Sequence, residues 1–201
     1  MNPLSTIKGT LVSGLLIAIV IALLPLEVLV GPPSLAIIMW IHVLAGITWI
    51  GLLYYFNFVQ VPALAEAASD EGGPGGAGIT KYVAPKALLW FRWGAVVTWL
   101  AGAAYLLHNG DFVGAFTLGA MQGGTPYQTT IGIGAWLGTI MFFNVWVLIW
   151  PNQKKVLGIV EASAEEIAKA RKVAGLASRT NTMLSLPLMM SMIGAHHGYL
   201  M

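Results

Sequence analysis

The chain has 201 residues, 57% hydrophobic and only 9% charged, with a mean hydropathy of +0.78 and a formal net charge of +2. A soluble domain carries about a quarter charged residues, so these charges are too few to clothe a water-soluble globule, and lipid is the expected solvent for most of the surface. The sequence contains no cysteine, which excludes disulfides, thiolate metal sites, iron–sulfur clusters and covalently attached c-type haem; any haem has to be held noncovalently, by histidine or methionine.

Five segments reach the roughly 20 apolar residues that a spanning helix needs; they run over about 10–30, 35–61, 86–107, 130–150 and 180–200. The expected fold is an all-α integral membrane bundle of five transmembrane helices, forming one membrane domain over 1–201. The first segment has a signal-like start in Lys8 and the run Leu11 to Leu24, but no small-x-small cleavage site follows, so it reads as a membrane helix. Pro32 and Pro33 break the chain before the second segment, which is long enough to tilt or protrude. Glu66 to Gly78, with its Gly-Gly-Pro-Gly-Gly run, reads as a flexible loop. The third helix is expected to end at His108, and Phe112 to Leu118 reads as a short interfacial piece. Pro151 is expected to end the fourth helix. Glu161 to Lys172 reads as a separate charged surface helix, with Ser163 as N-cap and Glu165 and Glu166 paired to Lys169. Arg179 and Asn181 are expected to fix the start of the fifth helix against Pro151–Lys155, with Ser178 and Thr180 as caps.

With the N-terminus inside, all ten lysines and arginines fall on the cytoplasmic side and the outer connections carry none. The C-terminus is then outside. The expected location is the bacterial inner (cytoplasmic) membrane, multi-pass. This topology carries His42, His108, His196 and His197 to one membrane face, although they are scattered in sequence.

An intramembrane histidine is costly and marks a functional site. His42, Gly46 and Trp49 share one helical face, so a flat group held by His42 has room over Gly46 and a wall in Trp49. Gly194 stands three residues before His197 and plays the same part there, which favours His197 over His196 as partner. One noncovalent haem b, ligated by His42 and His197, is the leading expectation. A histidine merely hydrogen-bonded to a neighbouring helix is the plain alternative. A copper or zinc site from His196, His197 and His42 or His108, with Asp111, is another. Arg92 reads as a snorkelling anchor, Asn144 as a bond to a neighbouring helix, and Glu27 as interfacial, while Pro187 is expected to kink the last helix.

Four stretches carry a resemblance: Trp40-Ile41-His42 through Gly51, Leu89-Trp90-Phe91-Arg92 through Gly102, Ile140-Met141-Phe142-Phe143-Asn144-Val145-Trp146 through Lys155, and Ala174 through Thr182. Together, from about residue 35 to 197, they resemble the membrane domain of the cytochrome-c-coupled urate hydroxylases (PuuD type). The His-x3-Gly-x2-Trp pattern at His42 is also similar to membrane haem proteins of the HemJ and CopD types. The first resemblance implies a helical membrane module whose C-terminal side meets a c-type cytochrome. No Cys-x-x-Cys-His motif occurs in these residues, so the electron acceptor is expected to be a separate protein.

The expected function is electron transfer, as a haem b membrane subunit, to or from a periplasmic cytochrome or a partner respiratory complex. A urate-hydroxylase-like oxidase with a separate cytochrome c and a cofactor-free structural subunit are the alternatives. The expected partners are the bilayer, the cytochrome or larger complex and a second copy of the chain, and not nucleic acid.

Overall fold

The computed structural model describes residues 2–23, 33–121 and 123–198, and among these every regular element is a helix. The chain divides into two units, Met1–Pro33 and Ser34–Met201. In the first, Asn2 caps a short turn by accepting from the Leu4 amide at 2.9 Å, and α1 runs over Ile7–Leu23. The rest of the expected 10–30 helix, with Glu27 and Pro32, lies outside the described residues.

The second unit consists of α2 (Ser34–Ser69), α3 (Ile79–His108), the short α4 (Phe112–Phe116), α5 (Pro126–Val156) and α6 (Ala164–His197). By length and composition, α2, α3 and α5 suffice to cross a bilayer. The α2–α3 and α5–α6 connections lie at one end, here the lysine end, and the α3–α5 connection lies at the other, the histidine end.

Several helices outrun their expected bounds. Glu66 to Ser69 are helical, which confines the turn to about 70–76. Pro151 does not end its helix, which continues to Val156. The reason is a widened turn. A proline in a helix lacks an N–H and its ring collides with the carbonyl one turn back. Here the π-helical turns Phe56–Gln60, Ile79–Val83 and Asn144–Ile149 each end two residues before Pro62, Pro85 and Pro151 respectively. The extra residue in each turn makes space for the ring.

The surface helix and the fifth span, expected as two elements, are the single 34-residue helix α6. Its buried positions Ala170, Ala174, Ala177, Asn181, Ser185, Leu188, Ser191 and Gly194 recur every three or four residues, so one stripe faces α5 through both parts. The helix therefore does not start near Ser178 or Thr180, and Asn181 is buried mid-helix. Pro187 lies inside it without interrupting it.

Ser163 is the N-cap as expected, and with Glu166 it forms a reciprocal capping box, but Glu166 pairs with Lys155 at 3.1 Å, across the turn from α5, and not with Lys169. The Ser163 amide and the Lys155 ammonium hold the Glu166 carboxyl below its ordinary value. A lowered carboxyl pKa contributes stability that is present above the ordinary value near 4.5 and lost as pH falls through the lowered one. Protection of the amides in the first turn of α6, relative to intrinsic exchange, should accordingly fall as pH drops through that lowered value, and Glu166→Gln should remove that dependence.

Two apolar clusters form the core. The larger is built on Trp49, Leu53, Phe56, Phe91, Met141 and Val145, and the smaller on Leu106, Ala115 and Ile131. The expected interfacial piece after Asp111 is α4, packed on α5: a Cβ on Gly132 would collide with the Ala115 carbonyl, and Trp136 Nε1 donates to the Phe116 carbonyl at 3.1 Å.

Candidate functional site

A cavity of about 880 Å³ lies between the two clusters, lined by α2, α3, α5 and α6, with Phe116 from α4. It brings together His42, Gly46, Trp49, His196 and His197 from helices far apart in sequence. Its walls are otherwise almost wholly apolar and include Met39, Met189 and Met192, which suits a flat, greasy ligand.

His42 is the best-defined donor. Its Nδ1 donates to the Thr98 carbonyl at 2.8 Å. The acceptor is a carbonyl oxygen, so the proton sits on Nδ1, and the neutral ring carries its lone pair on Nε2. That nitrogen has no hydrogen-bond partner among the described residues. A ring oriented through one nitrogen with the other left free is the usual arrangement of a metal-binding histidine. The plain alternative, a bond to a neighbouring helix, accounts for only half of the ring.

Gly102 makes the space for this ring. A Cβ there would stand 2.9 Å from His42 Cε1 and 3.1 Å from Nδ1. At Gly46 the nearest contact for an added Cβ is Thr98 Cγ2 at 3.8 Å, so Gly46 lines the cavity without crowding the histidine. Trp49 is 2% exposed, and its Nε1 has no partner among the described residues. The Trp49 side chain lines the cavity.

At the histidine end, His196 repeats the arrangement of His42. Its Nδ1 donates to the Met192 carbonyl at 3.1 Å, and its ring packs against Tyr127 edge to face and against Tyr105. His197 also lines the cavity. Gly194 is buried within the packing of α6 and is not among the lining residues. His108 lies outside the cavity, its Nε2 3.5 Å from Ser34 Oγ. Asp111 accepts from Asn109 Nδ2 at 2.7 Å and Gln128 Nε2 at 3.2 Å. Among the described residues no three His, Asp or Glu side chains gather into a group able to hold a metal ion, so the copper or zinc alternative lacks a donor set there.

Outside the cavity, Arg92 lies over the Trp150 ring at 3.7 Å, and Asn144 donates to Asn181 Oδ1 at 2.8 Å, the expected bond to a neighbouring helix. Thr98, Gly102, Tyr54 and Tyr105 belong to the site and were not singled out by the sequence. Thr98 acts through its backbone, which no residue pattern encodes. Gly102 lay within a stretch noted for its resemblance, and its value rests on a contact from another helix.

No curated protein and no solved structure matches the chain. The family model described as urate oxidase N-terminal matches residues 110–201. That range holds α4, α5, α6 and both C-terminal histidines, just under half of the chain, and leaves α2 with His42 and all of α3 outside. Over residues 110–201 the chain is similar to the urate oxidase N-terminal family.

Proposed function

We propose that the protein is a multi-pass membrane subunit of the bacterial inner membrane, N-terminus inside, that binds one noncovalent haem b in the cavity and exchanges electrons with a periplasmic cytochrome or a partner respiratory complex. The observation that carries this reading is His42, with Nδ1 tied to the Thr98 carbonyl and Nε2 free in an apolar cavity. The residues fit the group. His42 would hold the group through Nε2, and Gly102 leaves room for its ring. The adjacent pair His196 and His197, both lining the cavity, would supply the second nitrogen. When bound, haem b supplies one-electron transfer, and ligand identity and burial set its potential. The apolar walls exclude water and keep that potential under the protein's control.

A reduced-minus-oxidised optical spectrum of the purified full chain tests the reading. A b-type band at about one haem per chain is expected; its absence sinks the proposal and leaves the cofactor-free structural subunit in its place. The match to a urate oxidase N-terminal family favours a second reading, a urate-hydroxylase-like oxidase that passes electrons to a cytochrome c. Urate-dependent reduction of added cytochrome c by the haem-loaded protein separates the two.

A further inference from the structure

Four seams between helices bound the cavity, and three are closed at its own depth. His42 Nδ1 ties α2 to the Thr98 carbonyl of α3 at 2.8 Å, and an added Cβ on Gly94 would stand 3.3 Å from the Trp49 backbone nitrogen. Trp99 Nε1 donates to Thr139 Oγ1 at 2.9 Å and ties α3 to α5. Between α5 and α6 an added Cβ on Gly134 would meet Met192 Cε at 3.0 Å and Ser191 Cβ at 3.2 Å. At the histidine end the rings of Tyr105 and Tyr127 both pack on His196, which joins α3, α5 and α6.

The fourth seam, between α2 and α6, has its hydrogen bonds at and below the cavity floor. The Tyr54 hydroxyl lies 2.9 Å from Ser185 Oγ, and Asn57 Nδ2 donates to Ser178 Oγ at 2.8 Å. Toward the histidine end from there, residues that line the cavity are also exposed: Val43 and Ile47 (65%) on α2 and Ile193 (56%) on α6. A residue that both lines a cavity and faces outward stands at its mouth. The two edges lie at one depth, because Ile47 is about 10 Å along α2 from Tyr54 and Ile193 about 12 Å along α6 from Ser185, at 1.5 Å per residue. Between Ile47 and Tyr54 the lining residue Gly51 has no side chain, and an added Cβ there would meet nothing within 4 Å. Ile47 is also about 20 Å along α2 from its first residue, which in a membrane sets the mouth inside the roughly 30 Å hydrocarbon layer.

We propose that the cavity opens sideways into the bilayer between α2 and α6, with Ile47 and Ile193 as the edges of the mouth, and that its ligand enters there as a flat, lipid-dissolved molecule. This route rests on the membrane reading under the proposed function, and it is the way in for that reading's haem. Lipid tails are as apolar as these side chains, so no hydrophobic force draws the two edges together. A charged or strongly hydrated molecule has to shed its water to reach the mouth. A flat apolar molecule is already dissolved beside it and meets an apolar cavity behind it.

The chain has no cysteine, so one introduced thiol can be blocked with a bulky, lipid-soluble benzyl methanethiosulfonate and freed again by reduction. Ile47→Cys and Ile193→Cys place the block on the two edges of the mouth; both positions are more than half exposed, so the changes should fold. Leu44→Cys and Met190→Cys, 50% and 59% exposed on the same helices but outside the cavity lining, are the controls. The probe is metal-free protoporphyrin IX, dissolved in the vesicles that hold the full chain. It needs no axial nitrogen, and its uptake is read as the rise in porphyrin fluorescence anisotropy over protein-free vesicles. Blocking either edge should slow uptake at least about tenfold, a barrier of about 1.4 kcal/mol. Reduction should restore the rate, and the blocked controls should match the wild type. Uptake unchanged by either edge block, or slowed as much by the control blocks, would overturn the lateral mouth; a b-type band in the haem-loaded wild type then leaves the haem reading standing. No porphyrin uptake by the wild type also overturns the mouth, and absence of the b-type band as well sinks both.

Discussion

His42→Ala is expected to abolish the b-type absorption band while the purified protein keeps its helix content. The side chain makes one hydrogen bond, to a carbonyl of α3, so its removal costs folding only about 1 kcal/mol. Losing an axial nitrogen removes the main specific hold on the group in a cavity whose other walls are apolar. His42→Gly with added imidazole separates a ligand from a structural role: a free imidazole fits the space left by the ring, and the band should return in a concentration-dependent manner. Gly102→Ala tests the same geometry without touching the ligand. Its new Cβ would stand 2.9 Å from His42 Cε1, tighter than van der Waals contact, so the ring must turn away from the Thr98 carbonyl. The band should weaken or shift, and the potential should change because the ligand loses its hydrogen-bonded orientation. An unchanged spectrum in His42→Ala would refute the assignment.

The histidine cluster was legible before any coordinates because two independent features of the sequence agree. The lysines and arginines fix the alternation of the segments, and that alternation carries His42, His196 and His197 to one end. The structure brings these three to one cavity. The partners that orient them were not legible. Thr98 and Met192 act through backbone carbonyls, and a carbonyl is common to every residue. The spacing of Gly194 from His197 suggested a shared face, but Gly194 is spent on packing within the helix stripe. The end of the fourth segment at Pro151 differs for a physical reason. Proline is ordinarily a helix breaker, yet Pro62, Pro85 and Pro151 each follow a π-helical turn that accommodates the ring, and such turns leave no mark in hydropathy. The charged stretch Glu161–Lys172 looked separate from the last apolar stretch because polarity changes abruptly there. The three-four spacing of small buried residues across both, Ala170 through Ser191, was the signal that they are one helix.

The second large effect is expected at Asn181. This side chain is fully buried, donates from Nδ2 to the Met141 carbonyl at 3.0 Å and accepts from Asn144 Nδ2 at 2.8 Å. It therefore ties the centre of α6 to α5 one turn before and at the start of the π-helical turn Asn144–Ile149. Asn181→Leu should lower stability by about 1–2 kcal/mol: it strands the buried Asn144 amide, whose unpaired desolvation costs about 1–3 kcal/mol, and interhelical hydrogen bonds in membranes lie at the low end, about 0.6 kcal/mol on average. The paired variant, Asn144→Leu with Asn181→Leu, removes donor and acceptor together and fills the space with apolar volume, so it should recover most of the loss. Thermal unfolding in detergent, followed by circular dichroism, reads both. A paired variant that loses the sum of the two single changes would mean that the asparagines act separately. The haem band should survive in every one of these variants, because neither asparagine lines the cavity; its loss at unchanged stability would assign this pair to the site instead of to the fold.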